Sequence, residues 1–268
     1  EGRLYVVKAG DGAQITGSPI ETDVGDTDDP SGLAKITMPV LSPMTNASII
    51  GVYGGDLLGN LWRFDLNDDV GPDGLEAQLL AILKDGAGKK QPITTTPIVS
   101  LVQKKYIVMV GTGRFLATAD AAADGITHSF YGIIDRRTTG GAASDAIYDN
   151  PGGEPRPPAA GLNANGFIMQ KMSEVTCPAG SPANLCVSPE KVMQMDTNTI
   201  RADYNTHYGW FIDLPHAAER ANLDPALGLG TLVFNTNAPT SNACDLGGQS
   251  YQYWLDYKDG GAVRSVDN

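Results

Sequence analysis

Short runs of alternating apolar and polar residues, each closed off by glycine, asparagine, aspartate or proline, recur along almost the whole chain. A period of two puts successive side chains on opposite faces of a β-strand, and the closing residues are those that turns require. The first run covers residues 4–8 and ends at Ala9-Gly10-Asp11-Gly12. In the clearest one, residues 61–66, Trp62, Phe64 and Leu66 share one face while Leu61, Arg63 and Asp65 share the other. Residues 49–53 form a short apolar run before it, and Gly54-Gly55-Asp56 with Gly59-Asn60 tolerate positive φ. Residues 49–66 are therefore expected to form one β-hairpin.

Residues 106–110 are apolar on both faces, as in a central strand covered on both sides, and stop at Gly111-Thr112-Gly113. Residues 130–134, 210–214, 231–234 and 251–257 continue the series; in the last, Tyr251, Tyr253, Leu255 and Tyr257 line one face. Helical spacing occurs only at 74–84 (Leu75, Leu79, Leu80, Leu83), where a strand fits equally, and more weakly at 215–222. Many short strands with few helices make an all-β sandwich, barrel or propeller. Hairpins at intervals of tens of residues favour the β-propeller, whose blades take about 40–50 residues each; with long loops the chain holds about four. A ring lacking blades has unpaired edges, so residues 1–268 read as part of one propeller, completed by the N-terminal part of a longer parent.

Two stretches look unlike core. Residues 138–166 are rich in glycine and proline: from Pro151 to Pro158 only Glu154 and Arg156 are neither, and a long exposed loop or insertion is expected there. Residues 23–32 form an acidic loop with Asp23, Asp26, Asp28 and Asp29. Over the whole chain 31 acidic residues face 19 basic ones, a net charge of -12 that repels a phosphate backbone and disfavours nucleic-acid partners. No run approaches the roughly 20 consecutive apolar residues of a membrane-spanning helix.

Chemistry-bearing motifs are sparse. There is no Gly-x-Ser-x-Gly elbow and no His-Glu-x-x-His, and His128, His207 and His216 are scattered among loop-like neighbours, so the reading leans against an enzyme. Gly111-Thr112-Gly113-Arg114 lacks the lysine-serine/threonine ending of a phosphate loop. Trp62 and Trp210 read as packing residues, Gly54, Gly55 and Gly59 as turn requirements, and Arg63 as half of a surface or inter-blade ion pair. Asp65, Asn67, Asp69, the Gly71 carbonyl, Asp73 and Glu76 fall at positions 1, 3, 5, 7, 9 and 12 of a calcium-loop template. Val70 replaces the template's glycine and Pro72 stiffens the turn, so a solvated acidic loop is the favoured reading.

GVYGGDLLGNLWRFDL (residues 51–66) resembles the hallmark hairpin of PilY-type proteins, the type IV pilus tip-associated adhesin and biogenesis factors. Further segments follow in that family's order: LYVVKAGDG, GLAKITMPVLSP, QPITTTPIV, YIVMVGTGRFL, SFYGIID, YGWFIDLP with Glu219-Arg220, GTLVFNT and CDLGGQSYQYWLD. The resemblance covers nearly the whole chain. It implies a modified, C-terminal β-propeller domain, exported and displayed at the cell surface, pilus tip or outer membrane. There it would support pilus assembly and adhesion without catalysis, with tip minor pilins, the N-terminal part of its parent and a host or surface ligand as partners. The family's calcium loop lies just before the Tyr-x-Gly-Asp hairpin, but Pro43-Met44-Thr45-Asn46-Ala47-Ser48 offers no carboxylate ahead of Tyr53, so that site is not carried over. Two other propellers compete: a quinoprotein-type dehydrogenase, suggested by the turn at Ala9-Gly10-Asp11-Gly12, and a carbohydrate-binding module.

Cys177 and Cys186 bracket CPAGSPANLC, a loop too small to hold its shape by packing, which one disulfide would staple; two free thiols are the alternative. Cys244 is then free or paired outside the chain. Mass mapping of a non-reduced digest is expected to recover the Cys177 and Cys186 peptides linked; two free thiols there would count against export.

Overall fold

The computed structural model describes residues 1–42, 44–49, 51–66, 74–137, 146–154, 156–157, 160–177, 191–196, 202–240 and 247–263. Among these the chain is all-β; its one helical element is a 3-10 turn at Thr118–Ala121. The first large sheet has five strands, in the spatial order Tyr148–Asp149, Glu76–Ile82, Asn60–Asp65, Val52–Gly55 and Ile36–Thr37. The second has six: Gly161–Leu162, Phe167–Gln170, Gly209–Asp213, Ser129–Asp135, Lys105–Gly111 and Ile98–Val102. The third has three: Ala226–Gly228, Thr231–Ala238 and Gln249–Asp256. Arg3–Leu4 pairs with Ile20–Glu21, Val40–Ser42 with Asn46–Ile49, and Met172–Thr176 with Lys191–Met195.

The alternation seen in the sequence sorts side chains into separate cores. From Lys105–Gly111, Ile107 and Met109 point into one apolar cluster while Val108 and Val110 point into another. Ser129–Asp135 divides likewise, Phe130 and Ile134 against Tyr131 and Ile133, as does Gly209–Asp213, with Trp210 and Ile212 against Phe211. One cluster joins the second sheet to the third through Phe234, Tyr253 and Leu255; the other joins it to the first through Tyr53, Leu61 and Leu80. On its far side the first sheet packs Trp62, Phe64 and Leu79 against Leu4 and Ile20 of the N-terminal pair. The four layers follow chain order face to face without closing on themselves, the arrangement of a partial β-propeller.

The expected hairpin forms, with a shorter first arm: Val52–Gly55 pairs with Asn60–Asp65, whereas Ile49 belongs to the separate pair with Val40. Its turn is closed by Asp56, whose Oδ1 accepts from the N–H groups of Leu58 and Asn60, both at 2.9 Å. Asp56 Oδ2 takes the Asn60 amide at 2.8 Å and Trp62 Nε1 at 2.9 Å. Gly59 sits at φ 80°, and an added Cβ would lie 2.6 Å from the Leu83 carbonyl. The same turn recurs at Asp85, which accepts from Ala87 and Lys89, and at Asn163, which accepts from Asn165 and Phe167. Residues 74–84 resolve as strand, Glu76–Ile82, and 215–222 contain no helix.

The glycine- and proline-rich stretch departs from expectation where it is described. Residues 138–145 lie outside the described residues, but Tyr148–Asp149 adds a parallel strand to Glu76–Ile82, and Pro151, Gly152 and Gly153 are buried. The reason is electrostatic as well as topological. Asp213 is half-buried at the end of its strand in the second sheet, and the Arg156 guanidinium pairs with it while lying 5.2 Å over the Phe211 ring. Burial pushes the Asp213 carboxyl above its ordinary value even so.

Arg63 and Asp135 hold the first sheet to the second. Arg63 Nη1 lies 2.6 Å from Asp135 Oδ1, and the side chains are 2% and 0% exposed. The Tyr53 hydroxyl donates to Asp135 Oδ2 at 2.7 Å; burial, then the Asp135 charge, pushes that phenol far above its usual value. Removing one member of a buried pair strands the other. Asp135→Ala is expected to lower stability by about 3–5 kcal/mol in urea unfolding. The joint Arg63→Met, Asp135→Leu replacement is expected to cost clearly less than the two single changes summed.

Candidate functional site

Past Gly111 the chain leaves the second sheet, forms the 3-10 turn at Thr118–Ala121 and re-enters at Ser129. This excursion carries Arg114, Phe115 and Leu116 to the surface, the two apolar side chains 44% and 68% exposed. Asp120 folds its tip: its carboxylate accepts from the Leu116 and Ala117 N–H groups at 2.9 and 3.0 Å, and from Arg114 Nε at 2.9 Å. Burial of Asp120 opposes its charge, but these donors outweigh it and hold the carboxyl below its usual value.

Arg220 clamps the excursion from beneath. Its buried guanidinium donates to the carbonyls of Asp120 and Ala122, the latter at 2.7 Å, and sits 3.3 Å from Asp124 Oδ2. Asp124 also accepts from the Ile126 N–H at 3.0 Å and lies 3.1 Å from His128 Nε2. Burial again raises the cost of charge, yet the bonds from His128 and Ile126 and the Arg220 charge drive the Asp124 carboxyl well down. Gly113 is required by this close approach, since a Cβ there would lie 2.5 Å from Arg220 Cβ. The backbone locks the same contact, Ala221 N–H donating to the Thr112 carbonyl at 2.9 Å and Arg220 pairing with Asn237. Gly-Thr-Gly-Arg and Glu219-Arg220, distant in sequence, are one packed unit.

Glu219 anchors the other side of that unit. Its Oε1 accepts from Tyr253 and Thr236, both at 2.5 Å, and its Oε2 from the His216 N–H at 3.1 Å, with His216 Nδ1 at 2.7 Å. Burial, then the Glu219 charge, keeps the Tyr253 phenol protonated far above its ordinary range, so it acts as a donor. The His216 ring stacks on Tyr251 with centroids 3.8 Å apart. His207 Nδ1 accepts from the Asp203 N–H at 3.0 Å. Such an arrangement fixes backbone and presents a loop tip.

Of the calcium-template residues, Asp65 and Glu76 are brought directly opposite each other in the register of Asn60–Asp65 and Glu76–Ile82. Asn67, Asp69 and Asp73 lie outside the described residues. Cys177 is disulfide-bonded; Cys186 and Cys244 lie outside the described residues. Trp62 and Trp210 are fully buried, and Trp210 Nε1 donates to the Tyr257 carbonyl at 3.0 Å. Gly54 and Gly55 sit in strand, where an added Cβ would lie 2.9 Å from Ile36 and 2.1 Å from Ile93. Sequence reasoning missed the Arg220 clamp and Asp213, whose Oδ1 accepts from Ser129 at 2.8 Å. The one available signal was that Arg220 and Asp213 stand in motifs bearing the family resemblance.

Residues 3–154 match the family described as the PilY1 beta-propeller domain. The Type IV pilus biogenesis factor PilY1 of Pseudomonas aeruginosa strain PAO1 is 30% identical over 266 residues, covering 88% of this chain and 21% of the relative. A homolog of that factor in Xylella fastidiosa is 29% identical over 230 residues, covering 79% of this chain and 13% of its own length. The chain thus spans about a fifth or less of the curated relatives it matches. The crystal structure of the Pseudomonas aeruginosa PilY1 C-terminal domain superposes with a TM-score of 0.67 at 23% identity, covering 97% of this chain and 54% of that one. At that identity the likeness speaks for the fold.

Because Asp120 and Asp124 are depressed in the folded chain, the stability they give is complete above the ordinary carboxylate value of 3.8. It is lost as pH falls through their lower folded values, so the effect belongs below about pH 4. Amide protection factors of Leu116, Ala117 and Ile126 are expected to fall there ahead of those in Lys105–Gly111; simultaneous loss in both would refute a separately held loop.

Proposed function

Because this chain belongs to the family of the PilY1 β-propeller domain, we propose that it is a contact platform within a pilus-associated protein. It supports type IV pilus assembly and adhesion by binding, with no reaction catalysed. Residues 1–268 form part of one C-terminal propeller domain, exported to the cell surface, pilus tip or outer membrane. Its partners are tip minor pilins and the N-terminal part of its parent. The observation that carries this reading is the excursion after Gly111. Arg220, buried beneath it, supports a tip with apolar side chains in solvent, an arrangement suited to meeting another surface. The relatives named as type IV pilus biogenesis factors supply the setting.

The full-length parent carrying Phe115→Ser and Leu116→Ser tests it in cells lacking the unaltered gene. Both side chains are exposed, so the protein is expected to fold and reach the surface while pilus number or attachment drops severalfold. Unchanged piliation and attachment, with normal surface levels of the variant, would remove this face from the function.

A further inference from the structure

A cavity of about 400 Å³ opens at the seam between the first and second sheets, lined by Arg136, Tyr148, Asp149, Asn165, Phe167 and Tyr208, with Ile147 behind. Its wall is aromatic: Tyr148 meets Phe167 edge-on with centroids 5.4 Å apart and Tyr208 at 5.7 Å. The backbone holds the wall in place. Tyr208 N–H donates to the Gly166 carbonyl at 3.0 Å, its own carbonyl accepts from Ile134 N–H at 2.9 Å, and the Tyr148 hydroxyl is tied to the Ile134 carbonyl at 2.9 Å.

At the mouth the exposed Arg136 guanidinium lies 4.7 Å over the Tyr208 ring. No carboxylate forms an ion pair with it among the described residues. The neighbouring Asp135 is engaged by Arg63 and Tyr53, and Asp149 is 2.9 Å from Lys84 Nζ. In a chain of net charge -12, an arginine with no acidic partner among the described residues, at the rim of an aromatic cavity, calls for a ligand's anion. Stacking on a ring leaves the in-plane N–H edge of a guanidinium open to a two-point bond with a carboxylate. Two further polar groups remain. Asn165 donates its amide to the Asn150 carbonyl at 2.8 Å and accepts no protein donor at its side-chain oxygen among the described residues, and Asp149 is 64% exposed. Both suit hydroxyl donors. Arg136 also hydrogen-bonds the Tyr148 side chain. One cation without a carboxylate partner among the described residues, set beside the Asp149 carboxylate, matches one negative charge better than the two of a phosphate.

We propose that this cleft binds an acidic sugar, a pyranose bearing one carboxylate. The carboxylate lies on Arg136, the ring's C–H face against Tyr148 and Tyr208, and hydroxyls on Asn165 and Asp149. The volume falls within the range of small-ligand pockets, and an aromatic lining with few polar groups is their usual make-up. The site deepens the contact reading by naming a ligand class. It is tested by binding to the purified chain, so its failure leaves the pilus assay unaffected.

The experiment is titration with glucuronate and galacturonate, beside glucose and galactose, by ligand-observed NMR. Saturable binding of a uronate is expected, at least tenfold tighter than the neutral sugar of the same configuration. Arg136→Gln should remove that preference, and Arg136→Lys should restore it in part, since charge returns without the planar fork. Tyr208→Ala should weaken both sugar types. Absence of saturable uronate binding, equal binding of neutral sugars, or full uronate binding by Arg136→Gln at an unchanged melting temperature would overturn the assignment.

Discussion

A strand covered on both faces has no side for water, and that condition governs the middle of this molecule. Ile107 and Val108 are neighbours in the chain yet belong to different cores, and the same division runs through Phe130 and Tyr131 and through Trp210 and Phe211. Any polar side chain in such a strand must find its partner on the adjoining layer. Arg63 therefore meets Asp135 and Asp213 meets Arg156, so that charges within the apolar packing are paired. Hydrophobic area supplies the bulk of the attraction, while these pairs set which layer faces which.

What could be seen in advance follows from how local each feature is. Strands at 61–66, 106–110 and 130–134 were legible because alternation is written into consecutive residues, and the tyrosine face of 251–257 is likewise found packed on the core. Ile49 was placed in the wrong hairpin because an apolar run does not name its partner. Arg63 was expected in a surface or inter-blade ion pair; it makes the inter-sheet one, with an acid 72 residues away that no local pattern names. Composition also misled at 146–166, where glycine and proline suggested solvent but the backbone extends two sheets as an edge strand of each. The clamp on the exposed loop was hidden for the same reason. Gly113 and Arg220 owe their identities to each other, across roughly a hundred residues that no spacing rule spans.

The surfaces that remain open are supported by this burial. Phe115 and Leu116 project from a loop whose underside is tied down at Asp120, Ala122 and Asp124. The aromatic cleft lies where the first sheet's added strand reaches the second, so its shape depends on two layers at once. Rigid support lowers the entropy lost when a partner docks, which suits the contact role proposed for this chain.

The turn built by Asp56 has copies at Asp85 and Asn163, each reaching back over its own four residues. Alignment between neighbouring strands is thereby decided within a dozen residues, by a side chain already present at the bend. Hairpins close in microseconds, far sooner than segments a hundred residues apart can find each other. Assembly of this chain thus begins with pre-registered pieces, and the slow search is left to the stacking of whole layers.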